Sequence, residues 1–324
     1  MENKLTFMDF CAGIGGGRLG LENLGLKCLG FSEIDAEAEK TYREFFGKEE
    51  KNWGDLMKIN PRELPDFDLL IAGFPCQTFS VIGQRKGMED DRGLIIYGLI
   101  NIMKVKNVKY FLLENVKGLV NHDKGRTNKI ILEKLDEAGY KVFPKVLNSL
   151  NYGVPQMRER IYFLGIRKDL TDPNKHYIFP KPKMPPKIEE FLIDSNELEF
   201  DEKFNSYQTF LKFLNNKYNR GQYKVDDLLK EEFLVIDTRQ SDLRIYRNKT
   251  PTLRKGRHGI LYVRNRKFRK LSGYESLLLQ GFPDELAKKA KEKILNINLL
   301  SQAGNAMTVS TIKEIGNKLI EYIN

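Results

Sequence analysis

The sequence predicts a doubly wound α/β fold, a mostly parallel sheet covered by helices on both faces, joined to a second, smaller domain. Three observations carry that prediction. Short apolar runs alternate with helix-patterned segments through the first half of the chain, the signature of βαβ units. FPKPKMPPK, at 179–187, places four prolines in nine residues, which neither a helix nor a central strand tolerates. Beyond it the chain turns polar and basic until helical patterning returns at Leu271. The expected organisation is therefore 1–171 plus 271–324 for the α/β domain and 172–270 for the smaller one. A length of 324 residues suits two domains at ~150 residues each.

The elements follow in order. LTFMDF (5–10) reads as the first strand and runs into a glycine turn, CAGIGGG. Residues 20–24 read as a helix and 26–32 as the second strand. A helix follows over 35–46, with Ala36, Ala38 and Glu39 as good helix formers. A short strand near Lys51 leads to Gly54-Asp55. The third main strand spans 67–72, a helix 94–105, a strand 109–113 and a helix 129–138. Strands at 140–147 and 160–166 complete the first domain, and 306–323 reads as a terminal helix.

Composition narrows the function classes. Hydrophobic content of 41% and charged content of 30% are those of a soluble globular protein. The N-terminal stretch MENKLTFMDF lacks the basic and long apolar regions of a signal peptide, and runs such as Leu69-Leu70-Ile71-Ala72 are too short to span a bilayer. Cys11, Cys28 and Cys76 form neither a disulfide framework nor a zinc spacing, and the three histidines are scattered. A cytoplasmic protein without membrane association or structural metal is expected. The net charge of +10 is local: residues 241–270 hold eleven Lys or Arg against Asp242 alone, so the rest of the chain is balanced. Such a block is either a solvated face or a nucleic-acid footprint. Its interleaved Ile245, Tyr246, Leu253, Tyr262 and Phe268 suggest folded strands carrying the charge.

In an open parallel sheet, ligands bind beyond the carboxyl ends of the strands. After the first strand come Cys11, Ala12, Gly13, Ile14, Gly15 and Gly16. Glu33, Ile34 and Asp35 follow the second, Asp55 the short one, Pro75-Cys76-Gln77 the third and Glu114-Asn115 the fourth. The glycine run is either a plain tight turn or a place where backbone approaches a nucleotide-like ligand. Glu33 stands about 20 residues beyond it, where an acid binds a ribose diol of any adenosine cofactor. Cys76 by itself is either a buried core thiol or a nucleophile presented at a strand tip. Arg158 and Arg160 by themselves read as a salt-bridged strand surface.

The ordered set FMDFCAGIGGGRLG, SEID, GD, GFPCQTFS, ENVKGL, GVPQMRERIYFLG, LLLQGFPD and QAGNAMTVS resembles the cytosine-C5 DNA methyltransferases, in both order and spacing, from residue 5 to 313. The resemblance implies a Rossmann-like domain using S-adenosylmethionine, and a mechanism that covalent catalysis makes sensible. Cys76 would add to carbon 6 of cytosine, which lets carbon 5 accept a methyl group. Glu114 would hold or share a proton at N3, and Arg158 and Arg160 would supply nearby positive charge. The 11–16 loop and Pro75 would back the methionine end of the cofactor. Glu33 would take the ribose hydroxyls, Ile34 would lie against the adenine and Asp55 would face its amino group. Asn305 and Ala306 would fold back beside the first strand. The family often has Phe where Cys11 stands, and often an aromatic or another apolar residue at Ile34. The target base would be flipped out of duplex DNA. A loop over 78–92, with Ser80, Gln84, Arg85 and Arg92, would close over it. Gln156, Arg239, Arg244, Arg247, Thr252, Arg254 and Arg257 would touch DNA. The resemblance further implies a monomeric modification enzyme with a possible cognate restriction endonuclease. An RNA (tRNA) cytosine-5 methyltransferase and an idle DNA-binding protein are the competing readings.

Overall fold

The structure is a computed structural model and describes residues 4–75, 95–194, 199–216, 221–238, 243–256 and 258–324. Two compact units divide the chain. The first comprises Met1–Asn148, Glu159–Pro182 and Ala306–Asn324; the second comprises Ser149–Arg158 and Lys183–Asn305. By compactness, residues 271–305 thus group with the smaller sheet, whereas the expected boundaries placed them with the α/β domain.

The first unit is built on six strands: β1 (Thr6–Phe10), β2 (Lys27–Ser32), β3 (Leu69–Gly73), β4 (Tyr110–Val116), β5 (Tyr140–Asn148) and β6 (Glu159–Arg167). Their order is β2-β1-β3-β4-β6-β5. The pairs β1/β2, β1/β3 and β3/β4 are parallel. β6 runs antiparallel to both β4 and β5. A parallel neighbour needs a long crossover, usually a helix, and Ser149–Arg158 supplies none between β5 and β6. The chain leaves β1 towards β2 on one side and returns to β3 on the other, so the topological switch lies between β1 and β3.

Strand alternation sorts the core onto two faces. Met8, Phe10, Leu70, Ala72, Phe111 and Leu113 share one face. They pack with Leu99 and Met103 of α3 (Ile95–Val105) and with Ile131 and Leu135 of α4 (Arg126–Glu137). The opposite face receives α1 (Gly16–Glu22), α2 (Ala36–Phe46) and α10 (Val309–Ile323). Tyr42 of α2 stacks on Phe31 with ring centroids 3.8 Å apart. A Cβ on Gly17 would lie 2.9 Å from Ile71, and one on Gly20 would lie 2.7 Å from Ile312. Helices therefore cover both faces, as expected. The first helix starts at Gly16 rather than at residue 20, because the glycine run itself opens it.

The second unit carries a four-stranded antiparallel sheet, β10-β9-β7-β8, formed by β7 (Val235–Thr238), β8 (Leu243–Tyr246), β9 (Ile260–Arg264) and β10 (Lys267–Lys270). Its apolar face packs on α5 (Asn205–Leu214) through Phe210, Leu214 and Phe268. Glu275, fully buried, ties this sheet to α7 (Gly273–Leu278). Its carboxylate accepts from the Tyr262 hydroxyl at 2.8 Å, from the Ser272 N–H at 3.0 Å and from the Asp194 N–H at 3.1 Å. That link explains why 271–278 groups with the small sheet. α6 (Val225–Leu228), α8 (Asp284–Lys293) and α9 (Asn296–Asn305) complete the unit.

Candidate active site

The carboxyl ends of β1 to β4 gather the acids expected there. After β1 the chain passes through left-handed conformations at Cys11 (φ 50°), Gly13 (φ 57°) and Gly15 (φ 83°). The glycines divide by purpose. A Cβ on Gly15 would lie 2.3 Å from Phe46, and one on Gly16 would lie 2.2 Å from the Met307 carbonyl oxygen. Both are therefore small to admit the protein itself. Gly13 has nothing within 4 Å of its Cβ position and leaves open space. Ala12 and Ile14, on either side of Gly13, are buried.

Glu33 joins the turn to β2. Its Oε2 accepts from the Gly13 N–H at 2.6 Å, and its Oε1 accepts from the Ile34 and Asp35 N–H groups, both at 2.8 Å. Beside it Ile34 is 76% exposed, an apolar side chain standing uncovered at a polar edge. Asp55 caps its own short turn by accepting from the Met57 N–H at 3.0 Å. The Ser32 hydroxyl donates to the Gly54 carbonyl at 2.7 Å and brings that turn to the end of β2. Ala306 is buried next to Met307, whose backbone abuts Gly16. Asn305 is the exposed last residue of α9, in the second unit. An adenosine-bearing ligand fits this edge: carboxylates for hydroxyl and amino groups, an uncovered aliphatic residue for a flat ring, and an open glycine turn.

At the end of β4, Glu114 stands opposite Gly73 of β3 on one side and Tyr162 of β6 on the other. It is 7% exposed. Arg160, two residues along β6, forms an ion pair with it, Nε lying 3.1 Å from Glu114 Oε1. Next to Glu114, Asn115 is buried, and its amide donates to the Phe74 carbonyl at 2.9 Å, fixing the backbone immediately before Pro75. Sequence reasoning assigned nothing to Asn115. The available signal was strand parity, which turns it to the face opposite Glu114. Pro75 is exposed.

Two of the three thiols are unsuited to nucleophilic work. Burial, followed by the Glu33, Asp9 and Asp55 carboxylates, pushes the Cys11 thiol up to about 12. Burial also pushes the Cys28 thiol up to about 12, with Arg18 pulling the other way. Cys76 lies outside the described residues, as do Ser80, Gln84, Arg85, Arg92, Arg239 and Arg257.

The two arginines of QMRER part company. Arg160 meets Glu114, whereas Arg158 belongs to the second unit, is 2% exposed and donates from Nη1 to the Leu253 carbonyl at 3.1 Å and the Gly304 carbonyl at 3.2 Å. A cation on the last carbonyls of α9 is favoured by the helix dipole. Gln156 requires a correction. It is fully buried, its amide nitrogen donates to Leu279 O at 2.8 Å and its oxygen accepts from Leu253 N–H at 3.0 Å. One acceptor and one donor as partners fix the amide's orientation and leave it no reach to a base. The Thr252 hydroxyl is likewise turned inward, donating to Met157 O at 2.6 Å.

The basic block is partly engaged as well. Arg247 makes two 2.7 Å contacts to Glu231, and Lys267 is 2.9 Å from Glu199. Arg264 donates to Leu192 O at 3.1 Å, and Lys270 lies 4.1 Å above the Phe204 ring. Arg244 stands opposite Asp237 in the β7/β8 register. Arg244 and Arg254 are exposed.

Comparison with known proteins places this arrangement. The family model described as C-5 cytosine-specific DNA methylase matches residues 5–321. The type II methyltransferase M.HaeII of Haemophilus aegyptius is 38% identical over 321 residues, covering 98% of this chain and 93% of that protein. M.HpaII of Haemophilus parainfluenzae is 36% identical over 347 residues, covering 100% and 91%. Among solved structures, a DNA modification methyltransferase encoded within an E. coli prophage aligns with a TM-score of 0.71 at 20% identity, covering 99% of this chain and 100% of that one. Spodoptera frugiperda DNMT2 aligns with a TM-score of 0.70 at 19% identity, covering 99% of each. At such identities the structural matches establish the fold, while the sequence matches reach the family.

Proposed function

The chain belongs to the C-5 cytosine-specific DNA methylases, and we propose that Cys76, Glu114 and Arg160 carry its chemistry on a cytosine flipped out of duplex DNA. The observation that carries this reading is the shielded Glu114–Arg160 pair, level with the last residue of β3 and so three residues of chain from Cys76. The Cys76 thiolate adds to carbon 6, and the electrons of the 5,6 double bond move to carbon 5. Glu114 shares a proton with N3 as charge builds on the ring, and Arg160 holds the carboxylate in place. S-adenosylmethionine, when bound, would supply an electrophilic methyl group to carbon 5, the sulfur keeping the electron pair of the broken sulfur–methyl bond in the departing S-adenosylhomocysteine. A base then removes the carbon-5 proton, the sulfur–carbon bond breaks and the aromatic ring returns. The thiols of Cys11 and Cys28, both pushed up to about 12, are poor candidates for the first step. Arg158, bonded to two carbonyls, acts by holding the Ser149–Arg158 segment.

Glu33 takes a ribose hydroxyl of the cofactor, Ile34 lies on its adenine, Asp55 faces the adenine amino group and Gly13 leaves room for its approach. Pro75 and the 306 backbone border the same space. Residues 172–270 select the target, with Arg244 and Arg254 at the DNA. The type II names of the relatives support the role of a modification enzyme in a restriction–modification system; a cytoplasmic monomer is proposed beside it.

The test uses duplex DNA carrying 5-fluorocytosine at the target, where fluorine blocks the final elimination. With S-adenosylmethionine, wild type should give a protein–DNA band that survives denaturation, and Cys76→Ser should give none. A crosslink mapping to Cys11 or Cys28 overturns the assignment. Methyl transfer to tRNA in preference to duplex DNA would favour the RNA reading.

A further inference from the structure

We propose that Asn52 is a positioning residue for the cofactor: its side-chain amide staples the Glu33 loop to the Gly54-Asp55 turn at the spacing an adenosine needs. The proposal rests on the reading of that edge as the cofactor site. The backbone alone does little to join these segments. One isolated parallel bridge, Phe31 to Asn52, extends the sheet beyond β2, with Phe31 N–H donating to Lys51 O at 3.1 Å and Trp53 N–H donating to Phe31 O at 2.7 Å. The Asn52 side chain carries the pairing onward. Its Oδ1 accepts from the Glu33 N–H at 3.1 Å and from the Gly54 N–H at 2.9 Å, and its Nδ2 donates to the Glu33 carbonyl at 3.0 Å. Two donors on one side and an acceptor on the other fix the amide's orientation, so no other side chain of this size substitutes.

The consequence reaches both acids. Glu33 is held at its own N–H and C=O by one amide, while its carboxylate accepts three N–H groups. A carboxylate has about four acceptor positions, so one remains for a hydroxyl. Gly54, pinned through its N–H, holds a left-handed φ of 68° with nothing within 4 Å of its Cβ position, and Asp55 follows directly. Asn52, beside the Ser32 hydroxyl on the Gly54 carbonyl, thus helps to set the distance between the two acids without touching the ligand. A neutral amide also suits the place electrostatically, since an aspartate would add a third carboxylate and lose the donor to Glu33 O.

The experiment titrates S-adenosylhomocysteine into the full chain by calorimetry without DNA, for wild type, Asn52→Ala, Asn52→Asp and Asn52→Ser. Duplex DNA binding and the thermal midpoint of each ligand-free protein are measured alongside. Asn52→Ala should weaken S-adenosylhomocysteine binding about tenfold, the loss of one to two hydrogen bonds' worth of positioning. Asn52→Asp should weaken it at least as much, and Asn52→Ser should recover part of the loss. DNA affinity should stay within twofold of wild type. Unchanged binding by Asn52→Ala and Asn52→Asp overturns the proposal, as does a loss matched by an equal loss of DNA affinity in all three variants. If wild type itself binds no S-adenosylhomocysteine, the cofactor reading falls and the staple with it.

Discussion

The carboxyl edge of the six-stranded sheet and the basic four-stranded sheet use charge in opposite ways. At the edge, short acidic side chains are tied to nearby backbone. Glu33 accepts from Gly13, Ile34 and Asp35, and Asp55 accepts from Met57. Such groups have few rotamers left to lose, so their position follows closely from the strand that precedes them. In the basic sheet the charges sit on long stems, and several already have occupations. Arg247 closes on Glu231, Lys267 on Glu199, and Lys270 lies over Phe204. A charge count is thus an upper bound on phosphate contacts there, whereas at the sheet edge position alone nearly defines the role.

The largest test of this contrast sets a shielded ion pair against an exposed one. Glu114 and Arg160 have side chains 10% and 11% exposed, so Arg160→Ala strands a carboxylate away from water. That should cost about 3–5 kcal/mol of stability, read by urea denaturation. Adding Glu114→Gln should restore most of the stability and none of the methyl transfer. If the double variant is as unstable as the single, the pair is not what holds the edge together.

Next in size is the response of DNA binding to salt. With Arg247, Lys267, Arg264 and Lys270 engaged elsewhere, at most seven of the eleven cations remain; if about four of those reach phosphates, affinity should fall on the order of a hundredfold between 50 and 200 mM salt. A thousandfold fall would mean that the paired cations change partners on DNA.

Within the glycine turn, Gly16→Ala drives a Cβ into the Met307 carbonyl and should destabilise by about 1–3 kcal/mol. Gly13→Ala meets no atom and bears only its left-handed backbone, roughly 1 kcal/mol. Its larger effect should be on cofactor affinity. Equal stability losses at the two sites would erase the distinction between a glycine needed for packing and one needed for a ligand.

The smallest effect is expected at the exposed pair. Glu231→Gln should change stability by a few tenths of a kcal/mol, since surface ion pairs contribute little. Freed from its partner, Arg247 should raise the slope of log affinity against log salt by nearly one if it reaches a phosphate. An unchanged slope removes Arg247 from the interface.

Much of this was legible in the amino-acid order. Apolar runs ending in Gly, Glu or Pro mark β1 to β4, and the ligand edge follows because residues after parallel strands gather at one end. That rule places Glu33, Asp55 and Glu114 after their strands, and the motif order identified the family. The direction of β6 was harder to read, since it depended on Ser149–Arg158 containing no α-helix. The glycine run looked uniform, yet Gly15 and Gly16 answer to Phe46 and Met307 while Gly13 answers to open space. Arg158 and Gln156 were least legible. Their partners lie 95 to 146 residues away, at Leu253, Leu279 and Gly304. Local pattern records which backbone a residue can adopt and which face it turns inward. Whether a buried polar group meets a carbonyl, a carboxylate or a ligand is decided by which distant segment closes over it, and each such group must find a partner once water is gone.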